Sequence, residues 1–292
     1  MKKTIEADID IVVLTQGRDL PALERCLSSL LAQEDVAARV ICVGNGYELP
    51  ELPAGVEPFN EPENLGAPGG RNVGAAYGSA PLILFFDDDA WFSDTKALAT
   101  LVEYMRRQPK AGLIQPRLVD PENGRTEPRW VPRSVVGDPA RPGPAFTIAE
   151  GVSLVRREIF EKVGGWADFF YGHEGIELTW QVWNAGYVAR YLPQVVAHHP
   201  SGIPFRRPQQ MWMNARNRVW VARRNLPQPI RAVYLINWWL ISMARLYRDR
   251  TTRTEWLQGW RAGKTTQSKT SAPQLSWRTV LRLALAGHPP IV

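Results

Sequence analysis

Residues 82–89 read LILFFDDD, a run of five apolar residues that ends at three consecutive aspartates. Five apolar residues without a polar break are typical of a strand buried on both faces of a sheet. Three adjacent carboxylates repel one another, and a divalent cation bound among them would relieve that repulsion. Two interpretations of Asp87, Asp88 and Asp89 stay open, a metal site or an acidic cluster that belongs to a loop or caps a helix.

Strands and helices alternate on both sides of this run. Apolar runs predict strands over 9–14 and 40–43, and apolar spacing predicts helices over 20–33, 70–79 and 95–107. This alternation predicts an α/β fold with a mostly parallel central sheet flanked by helices. In such sheets the ligand binds beyond the carboxyl ends of the strands.

Polar residues also follow the first two predicted strands. Residues 15–18 read TQGR, and residues 44–46 read GNG. Because the carboxyl ends of parallel strands lie at one edge of the sheet, we expect both segments to lie near the three aspartates. The sequence therefore predicts a single ligand site at this edge.

A glycine-rich stretch precedes the apolar strand, where residues 64–74 read NLGAPGGRNVG. Glycines let the backbone approach a ligand closely and leave amide groups free to face phosphate. Arg71 would add a charge-assisted contact. Taken alone, the stretch is also typical of a flexible turn, so both interpretations stay open.

Two later segments carry groups suited to proton transfer or metal binding. Residues 169–178 read FFYGHEGIEL, and Glu174 and Glu177 share one face of a helix predicted over 173–185. One of them is a candidate general base, although acids also favour the first turn of a helix for electrostatic reasons. Residues 197–200 read AHHP, a histidine pair that either ligates a metal or has a structural role.

The 292-residue chain divides into an acidic body and a basic, tryptophan-rich tail. Residues 205–292 carry 16 Lys and Arg against two acids, a net charge of +14, whereas residues 1–204 carry a net charge of −8. Seven of the 12 tryptophans also lie in the tail. A basic segment favours an anionic surface, and the tryptophans favour lipid over nucleic acid.

Composition excludes several classes of protein. With 45% hydrophobic and 22% charged residues, the chain is neither disordered nor collagen-like. Its two cysteines, Cys26 and Cys42, argue against a disulfide framework and favour a reducing compartment. We expect neither a secretion signal nor a transmembrane helix, because no sufficiently long apolar stretch occurs.

The two regions predict an α/β domain over 1–204 and a helical extension over 205–292. Within the extension, helices are predicted over 208–225, 229–248 and 276–286. The second of these helices combines apolar residues and tryptophans with flanking arginines, which fits a helix lying in a membrane interface. The alternative is a helix that packs on the body and leaves its arginines in solvent.

In combination, these motifs resemble glycosyltransferase family 2, the inverting enzymes of the GT-A fold. The resemblance extends over about residues 8–225. Its motifs are VVLT at 12–15 with Arg18, NG at 45–46, NLG at 64–66, GGRNVG at 69–74, DDD at 87–89, GVSLVRR at 151–157, GGW at 164–166 with Asp168, Glu174 with Glu177, YLP at 191–193, His198, and RNR at 216–218. The glycine-rich pattern is similar to that of bacterial rhamnosyl- and galactofuranosyltransferase members.

The resemblance implies a nucleotide-sugar donor, a dTDP- or UDP-sugar, and a divalent cofactor, Mg²⁺ or Mn²⁺. It places the metal on Asp87, Asp89 and His198. The implied donor-binding residues are Thr15, Gly17, Arg18, Asn45, Asn64, Gly66, Gly69, Gly70, Arg71, Asn72, Asp87 and Asp88.

The resemblance also implies an acceptor side and a catalytic base. The implied residues are Trp166, Asp168 and His173 for the acceptor, and Glu174 or, as the alternative, Glu177 for the base. Two positions depart from the family pattern. Gly44 stands where the family usually has an aspartate that reads the nucleotide base, and Gly175 stands where its base motif usually has a second acid.

These observations predict a metal-dependent inverting glycosyltransferase that moves a sugar to a hydroxyl of a glycan or polyprenyl-linked acceptor. The tail predicts a cytoplasmic enzyme held peripherally at the anionic inner face of the plasma membrane, with a role in cell-wall or polysaccharide synthesis. Two alternatives stay open. One is a catalytically silent relative that binds sugar nucleotides, and the other is a nucleic-acid-binding protein that acts through its basic tail.

Overall fold

The body of the molecule is built on one β-sheet. The computed structural model describes residues 7–133, 135, 137–201 and 208–291. The strands found in them are β1 (Ile9–Thr15), β2 (Ala38–Asn45), β3 (Val56–Glu61), β4 (Leu82–Asp87), β5 (Trp91–Phe92), β6 (Ala111–Val119), β7 (Gly143–Pro144), β8 (Val152–Arg156) and β9 (Val188–His198).

These strands lie in the order β3-β2-β1-β4-β8-β6-β9-β5, and β7 pairs with β9. The first four strands of this order run parallel to one another. Strand β8 runs antiparallel to both β4 and β6, and β6 is again parallel to β9. The predicted α/β fold with a mostly parallel sheet is therefore confirmed.

Helices flank the sheet and continue beyond it. Those within the described residues are α1 (Leu20–Leu31), α2 (Gly66–Tyr77), α3 (Ala97–Arg107), α4 (Arg157–Lys162), α5 (Glu174–Asn184), α6 (Pro208–Asn225), α7 (Ile230–Arg245), α8 (Arg250–Thr265) and α9 (Trp277–Leu285). None of the helices in the described part of the chain is both long and apolar enough to cross a bilayer.

The apolar runs of β1 and β4 are buried on both faces of the sheet. Successive residues of a strand point to opposite faces. Val13 and Leu84 accordingly belong to one apolar cluster, whereas Val12 and Phe85 belong to a second. This two-sided burial explains why these strands have no alternating polar residues.

The C-terminal helices pack on the body and on each other. Trp220 of α6 and Leu283 of α9 belong to the same apolar cluster as Trp180 of α5. A Cβ added to Gly259 of α8 would lie 2.1 Å from the Trp212 carbonyl oxygen, so this glycine allows α8 to approach α6 closely. The predicted division between body and tail stays a prediction.

Several elements differ from the sequence prediction. Strand β3 and helix α8 form where no regular element is predicted, and α2 begins at Gly66 rather than near residue 70. Residues 116–147 are predicted to be irregular, but β6 continues through Val119 and β7 lies near their end. β3 escapes detection because only its first residue is buried, as in an edge strand.

Candidate active site

Three neighbouring parallel strands bring the predicted polar residues to one edge of the sheet. Strand β1 lies between β2 and β4, with Thr15 paired to Gly44 and Leu14 paired to Asp87. The last residues of these strands are Thr15, Asn45 and Asp87. The strand-end cluster expected from the sequence therefore forms.

The side chain of Asp88 contacts β1, whereas Asp87 and Asp89 contact His199. The Thr15 hydroxyl donates a hydrogen bond to Asp88 Oδ2 at 2.6 Å. Burial, together with the charges of Asp87 and Asp89, raises the pKa of Asp88 to about 6 despite this bond. Thr15 also accepts a hydrogen bond from the Gly17 amide, which shapes the turn after β1.

Asp87, Asp89 and His199 form a group that could hold a metal ion. One ligand atom from each lies within 4.8 Å of the other two. The His199 Nε2 atom is 3.5 Å from Asp87 Oδ2 and 3.4 Å from Asp89 Oδ1. Adjacent ligands of an octahedral ion with bonds of about 2.1 Å lie about 3.0 Å apart, so a small movement would close the set. Two carboxylates and one imidazole suit a first-row divalent ion such as Mn²⁺.

The predicted metal ligand His198 faces away from this group. Its ring stacks on Trp91, with ring centroids 5.2 Å apart. His198 ends β9, and the next residue, His199, points to the other side because the pleat alternates. The structure thus places His199, and not the predicted His198, beside Asp87 and Asp89.

Positive charge balances the carboxylates of this group. Arg71 Nη2 donates to Asp87 Oδ1 at 2.7 Å from a buried position on α2. Burial alone would raise the pKa of Asp87, but the Arg71 charge and the His199 hydrogen bond hold it below its usual range. For His199, whose charged form is the protonated one, burial would lower the pKa. Its contacts with Asp87 and Asp89 outweigh burial and raise the pKa to about 9. Burial raises the pKa of Asp89.

The glycine-rich stretch is a shaped turn that leads directly into α2. Gly66 has a φ of +74°, and a Cβ there would lie 2.3 Å from the Phe170 carbonyl oxygen. The Asn64 side chain accepts a hydrogen bond from the Gly66 amide at 2.9 Å. Asn45 accepts from the Leu65 amide and donates to the Gly66 carbonyl. Asn45 and Asn64 therefore fix the turn through their own side chains.

The remaining residues of this stretch pack against the sheet and the core. A Cβ on Gly70 would lie 2.4 Å from the Leu14 side chain, so glycine lets α2 sit directly on β1. At Gly69 a Cβ would lie 2.6 Å from Leu65. The Asn72 side chain donates to and accepts from the Trp166 backbone, both at 2.9 Å, which commits its polar atoms to that contact.

The loop after β1 and the end of β2 meet at Tyr47. A Cβ on Gly17 would lie 2.1 Å from the Tyr47 ring, so Gly17 sits beneath this ring. Arg18 is exposed. A Cβ on Gly44 would lie 2.2 Å from the Tyr47 carbonyl oxygen, and a side chain at this position would clash with the backbone. This close approach explains why a glycine stands where the family resemblance implies an aspartate.

A cavity of about 950 Å³ opens next to the candidate metal group. Among the described residues that line it are Asp87, Asp89, Glu150, His173 and His199. The other predicted acceptor and base residues are not among the described lining residues. The cavity is therefore the space in which a substrate would meet the aspartates.

The two predicted base residues have different surroundings. Glu174, the first residue of α5, is 3% exposed, and its Oε2 atom has no hydrogen bond within the described structure. Burial and the charge of Glu150 raise the pKa of Glu174 to about 8. Glu177 accepts hydrogen bonds from Arg224 at 2.7 Å and Asn225 at 2.8 Å. Burial outweighs these contacts and raises the pKa of Glu177.

The three predicted acceptor residues are not brought together. Trp166 is 1% exposed and packs in the core against Phe85, with ring centroids 5.1 Å apart. Asp168 binds the C-terminal stretch, where it accepts hydrogen bonds from the Lys269 amide at 2.7 Å and the Thr270 hydroxyl at 2.9 Å. His173 lines the cavity.

His173 belongs to a loop with unusual backbone geometry. Its φ is +73° and that of Phe170 is +68°, a region that non-glycine residues rarely adopt. Burial, followed by the charge of Arg218, lowers the pKa of His173 well below its usual value. The buried Asn217 amide donates to three carbonyl oxygens of this loop, those of Phe169, Tyr171 and Gly172. This contact gives the RNR motif of α6 a structural role.

Sequence reasoning missed His199 and Glu150. The AHHP motif contains His199 but does not show which histidine of the pair faces the aspartates. Glu150 stands just before β8, where regular structure is predicted to resume after the irregular segment 116–147. An acid before an apolar strand is too common to mark a site, so only the fold shows that Glu150 lines the cavity.

Comparison with known proteins supports this description. Residues 10–164, slightly more than half of the chain, match the family model for Glycosyl transferase family 2. No curated protein sequence gives a match.

Several solved structures share the fold. Mannosyltransferase PcManGT from Pyrobaculum calidifontis, in complex with GDP-Man and Mn²⁺, has a TM-score of 0.57 and 16% identity over 90% of this chain and 87% of that chain. GalNAc-T7 with UDP, GalNAc and Mn²⁺ has a TM-score of 0.67 and 14% identity, covering 99% of this chain and 59% of that chain. TarS 1-349 from S. aureus has a TM-score of 0.62 and 13% identity over 86% and 78% of the two chains. At these identities the likeness establishes the fold.

Proposed function

Because the chain belongs to glycosyl transferase family 2, we propose that it is a metal-dependent enzyme that moves a sugar from a nucleotide-sugar donor to an acceptor hydroxyl. The observation that carries the proposal is the group formed by Asp87, Asp89 and His199 at the carboxyl edge of the parallel sheet. The PcManGT and GalNAc-T7 structures, which share the fold, both contain Mn²⁺ with a nucleotide or nucleotide sugar. Mn²⁺, with Mg²⁺ as the alternative, is the proposed cofactor.

The proposed reaction is a single displacement that inverts the anomeric carbon. Asp87, Asp89 and His199 would hold the metal, whose positive charge would stabilise the departing nucleoside diphosphate. The chain holds those two carboxylates in place through Arg71 and His199. A buried carboxylate on the acceptor side accepts the proton of the attacking hydroxyl.

The proposed donor is a dTDP- or UDP-sugar, and the glycine-rich motif favours a deoxysugar or a furanose. The polar ends of β1 and β2 are the proposed contacts for the nucleotide. Gly44 offers no carboxylate to the base, and the Tyr47 backbone leaves no room for one. Base recognition would therefore depend on the backbone and on neighbouring side chains such as Arg18.

The predicted catalytic glutamates differ in their suitability for proton transfer. Glu177 is engaged by Arg224 and Asn225, so its oxygens already have partners. Glu174 keeps one oxygen without a hydrogen bond within the described structure. We therefore place proton acceptance in the region of the two neighbouring carboxyls of Glu174 and Glu150, rather than at Glu177.

The proposed location is the cytoplasmic face of an anionic membrane. The exposed side chains Val233, Ile236, Trp239 and Leu240 lie on one face of α7. Helix α9 likewise exposes apolar side chains, and the tail as a whole carries a net charge of +14. Apolar side chains combined with basic charge suit a surface of anionic lipid. Such placement would serve a polyprenyl-linked acceptor in polysaccharide or cell-wall synthesis.

The proposal is tested by release of nucleoside diphosphate. Purified protein is incubated with a panel of nucleotide sugars, Mn²⁺ or Mg²⁺, and a crude polyprenyl-linked glycan fraction. We expect metal-dependent release with one class of donor, and loss of that release in Asp89→Asn. A donor that binds without turnover would identify the catalytically silent relative instead, and turnover that persists in EDTA would contradict the metal assignment.

A further inference from the structure

The carboxylate of Glu150 occupies the space next to Gly175 on α5. A Cβ added to Gly175 would lie 2.5 Å from Glu150 Oε1 and 2.8 Å from the Ile148 carbonyl oxygen. The Gly175 amide donates a hydrogen bond to the same Glu150 oxygen at 3.0 Å. Any side chain at position 175 would therefore displace this carboxylate, and glycine both makes the space and supplies the anchoring donor.

Glu150 lines the cavity, whereas Glu174 does not. The carboxylates among the described lining residues are Asp87, Asp89 and Glu150. The first two belong to the candidate metal group, so Glu150 is left for another role. Glu174 is 3% exposed, and a substrate in the cavity would reach Glu150 first.

Glu174 precedes Gly175 on α5, is not among the described residues that line the cavity, and is influenced by the charge of Glu150. Two neighbouring carboxyls resist simultaneous ionisation, so they tend to share a proton. Burial, with the charge of Glu150, raises the pKa of Glu174, and burial likewise raises the pKa of Glu150. Glu150 Oε1 is held by the Gly175 amide, and this bond fixes the carboxylate at the wall of the cavity.

We propose that Glu150 is the catalytic base of the transfer and that Glu174 is a neighbouring positioning residue. The acceptor hydroxyl gives its proton to Glu150 while its oxygen bonds to the anomeric carbon. The bond from that carbon to the nucleoside diphosphate breaks, and the electron pair leaves with the diphosphate. This inference rests on the proposed function and assigns its proton transfer to one residue.

Matched carboxamide variants test the assignment. Removing a general base lowers kcat by about 100-fold or more, so Glu150→Gln should lose at least that much while Mn²⁺ and nucleotide still raise the unfolding temperature. In Glu174→Gln a substantial kcat should remain, because Glu174 is already protonated at neutral pH and glutamine keeps that uncharged form. The pH profile of this variant should also lose the inflection near pH 8 that ionisation of Glu174 gives the wild-type enzyme. A larger loss of kcat in Glu174→Gln than in Glu150→Gln would overturn the proposal.

A second test moves the carboxylate from position 150 to position 175. Activity should be partly restored if Glu150 is the base, but not if Glu150 has only a structural role. In Glu150→Ala combined with Gly175→Asp, the new side chain starts in the space that Glu150 Oε1 now fills, and the Ile148 carbonyl oxygen, 2.8 Å from the new Cβ, must shift to admit it. We expect this double variant to turn over at least about tenfold faster than Glu150→Ala, as a repositioned base would. Wild-type kcat in Glu150→Gln overturns the inference alone, and absence of turnover in the wild-type protein overturns the proposed function with it.

Discussion

Adjacent histidines on opposite sides of one strand give a matched pair of variants for the metal site. His199 lies beside Asp87 and Asp89, whereas the His198 ring stacks on Trp91. We expect His199→Ala to weaken Mn²⁺ binding by about 10-fold or more, because one of three protein ligands is lost. Isothermal titration with Mn²⁺ measures this directly.

His198→Ala is the control for that titration, since it removes the same ring one residue away. It should keep its Mn²⁺ affinity, with at most a small loss of stability from the missing contact with Trp91. Weaker Mn²⁺ binding in His198→Ala than in His199→Ala would contradict the assignment of His199.

The buried carboxyl of Glu174 makes stability depend on pH. Its pKa is raised from 4.5 to about 8, so the folded protein holds this proton more tightly than the unfolded chain. The resulting stabilisation is complete below pH 4.5 and is lost as the pH rises toward 8. We expect the unfolding free energy of the wild-type protein, relative to Glu174→Gln, to fall across this range. Denaturant titrations at a series of pH values test this, and a difference that is constant with pH would contradict it.

Individual site residues could be predicted from the sequence where the residue types themselves suggest a function. Three consecutive aspartates after an apolar strand mark a candidate metal site, and the structure groups Asp87 and Asp89 with His199 there. The sequence prediction names His198, whereas the structure places His199 beside the aspartates, and the difference depends on the side-chain directions at the end of β9. That strand changes its pairing register with β6 between Pro116 and Arg117, so alternation cannot be counted along it.

Helices α5 and α6 are joined by a buried ionic contact. Glu177 of α5 accepts hydrogen bonds from Arg224 and Asn225 of α6, and both acid and arginine are largely buried. Removing one partner of a buried ion pair costs about 3–5 kcal/mol, so Glu177→Ala should lower the unfolding free energy by that amount. Glu177→Gln should cost less because its amide oxygen can still accept from Asn225.

Urea unfolding of both Glu177 variants measures these costs. The kcat of Glu177→Gln should exceed that of Glu150→Gln, since the position 177 side chain is not among the described residues that line the cavity. Equal unfolding free energies for wild type and Glu177→Ala would show that the contact with Arg224 contributes nothing.

Asn217 of α6 holds the loop at 169–173, which leads to the cavity, by hydrogen bonds. Its amide donates to three carbonyl oxygens in the loop that carries His173. Asn217→Ala leaves buried acceptors without their donor and should lower the unfolding free energy by about 1–3 kcal/mol. Limited proteolysis should also cut the loop at 169–173 faster than in wild type. An unchanged cleavage rate would show that the loop holds its conformation without Asn217.

Elements with a clear apolar pattern could be predicted, and those positioned by packing could not. The five apolar residues at 82–86 match β4, and the apolar spacing over 20–33 matches α1. Helix α8 was missed because glycines and charged residues interrupt its apolar pattern. Those glycines, including Gly259, are explained only by the neighbouring helix. Asn64 and Asn72 likewise fix backbone conformation, a role invisible before the fold is known.

At the scale of the whole molecule, we expect the C-terminal extension to bind anionic membranes, because it combines exposed apolar side chains with basic charge. Ile236 and Leu240 of α7 are more than half exposed, at 59% and 54%. Replacing both with serine removes apolar area from the proposed membrane face and leaves the basic charge in place. We expect wild-type protein to float with vesicles that contain anionic lipid, and the double variant to float markedly less.

A matched control uses exposed leucines of the body. Leu20→Ser with Leu31→Ser changes side chains of α1 that are 44% and 40% exposed, far from the tail in sequence. This variant should float like wild type. Equal flotation with neutral and anionic vesicles, or equal flotation of all variants, would contradict membrane docking by the tail.

Nucleotide- and metal-linked stabilisation of the folded protein tests the central claim most directly. Thermal unfolding is measured with UDP, dTDP and GDP and their sugars, each with and without Mn²⁺, for wild type and Asp89→Asn. A ligand at 100 times its Kd stabilises the folded state by about 2.7 kcal/mol. We predict a rise in unfolding temperature with one nucleotide class, dependent on Mn²⁺ and absent in Asp89→Asn. A wild-type protein that unfolds cooperatively but is stabilised by no nucleotide with Mn²⁺ would contradict the claim.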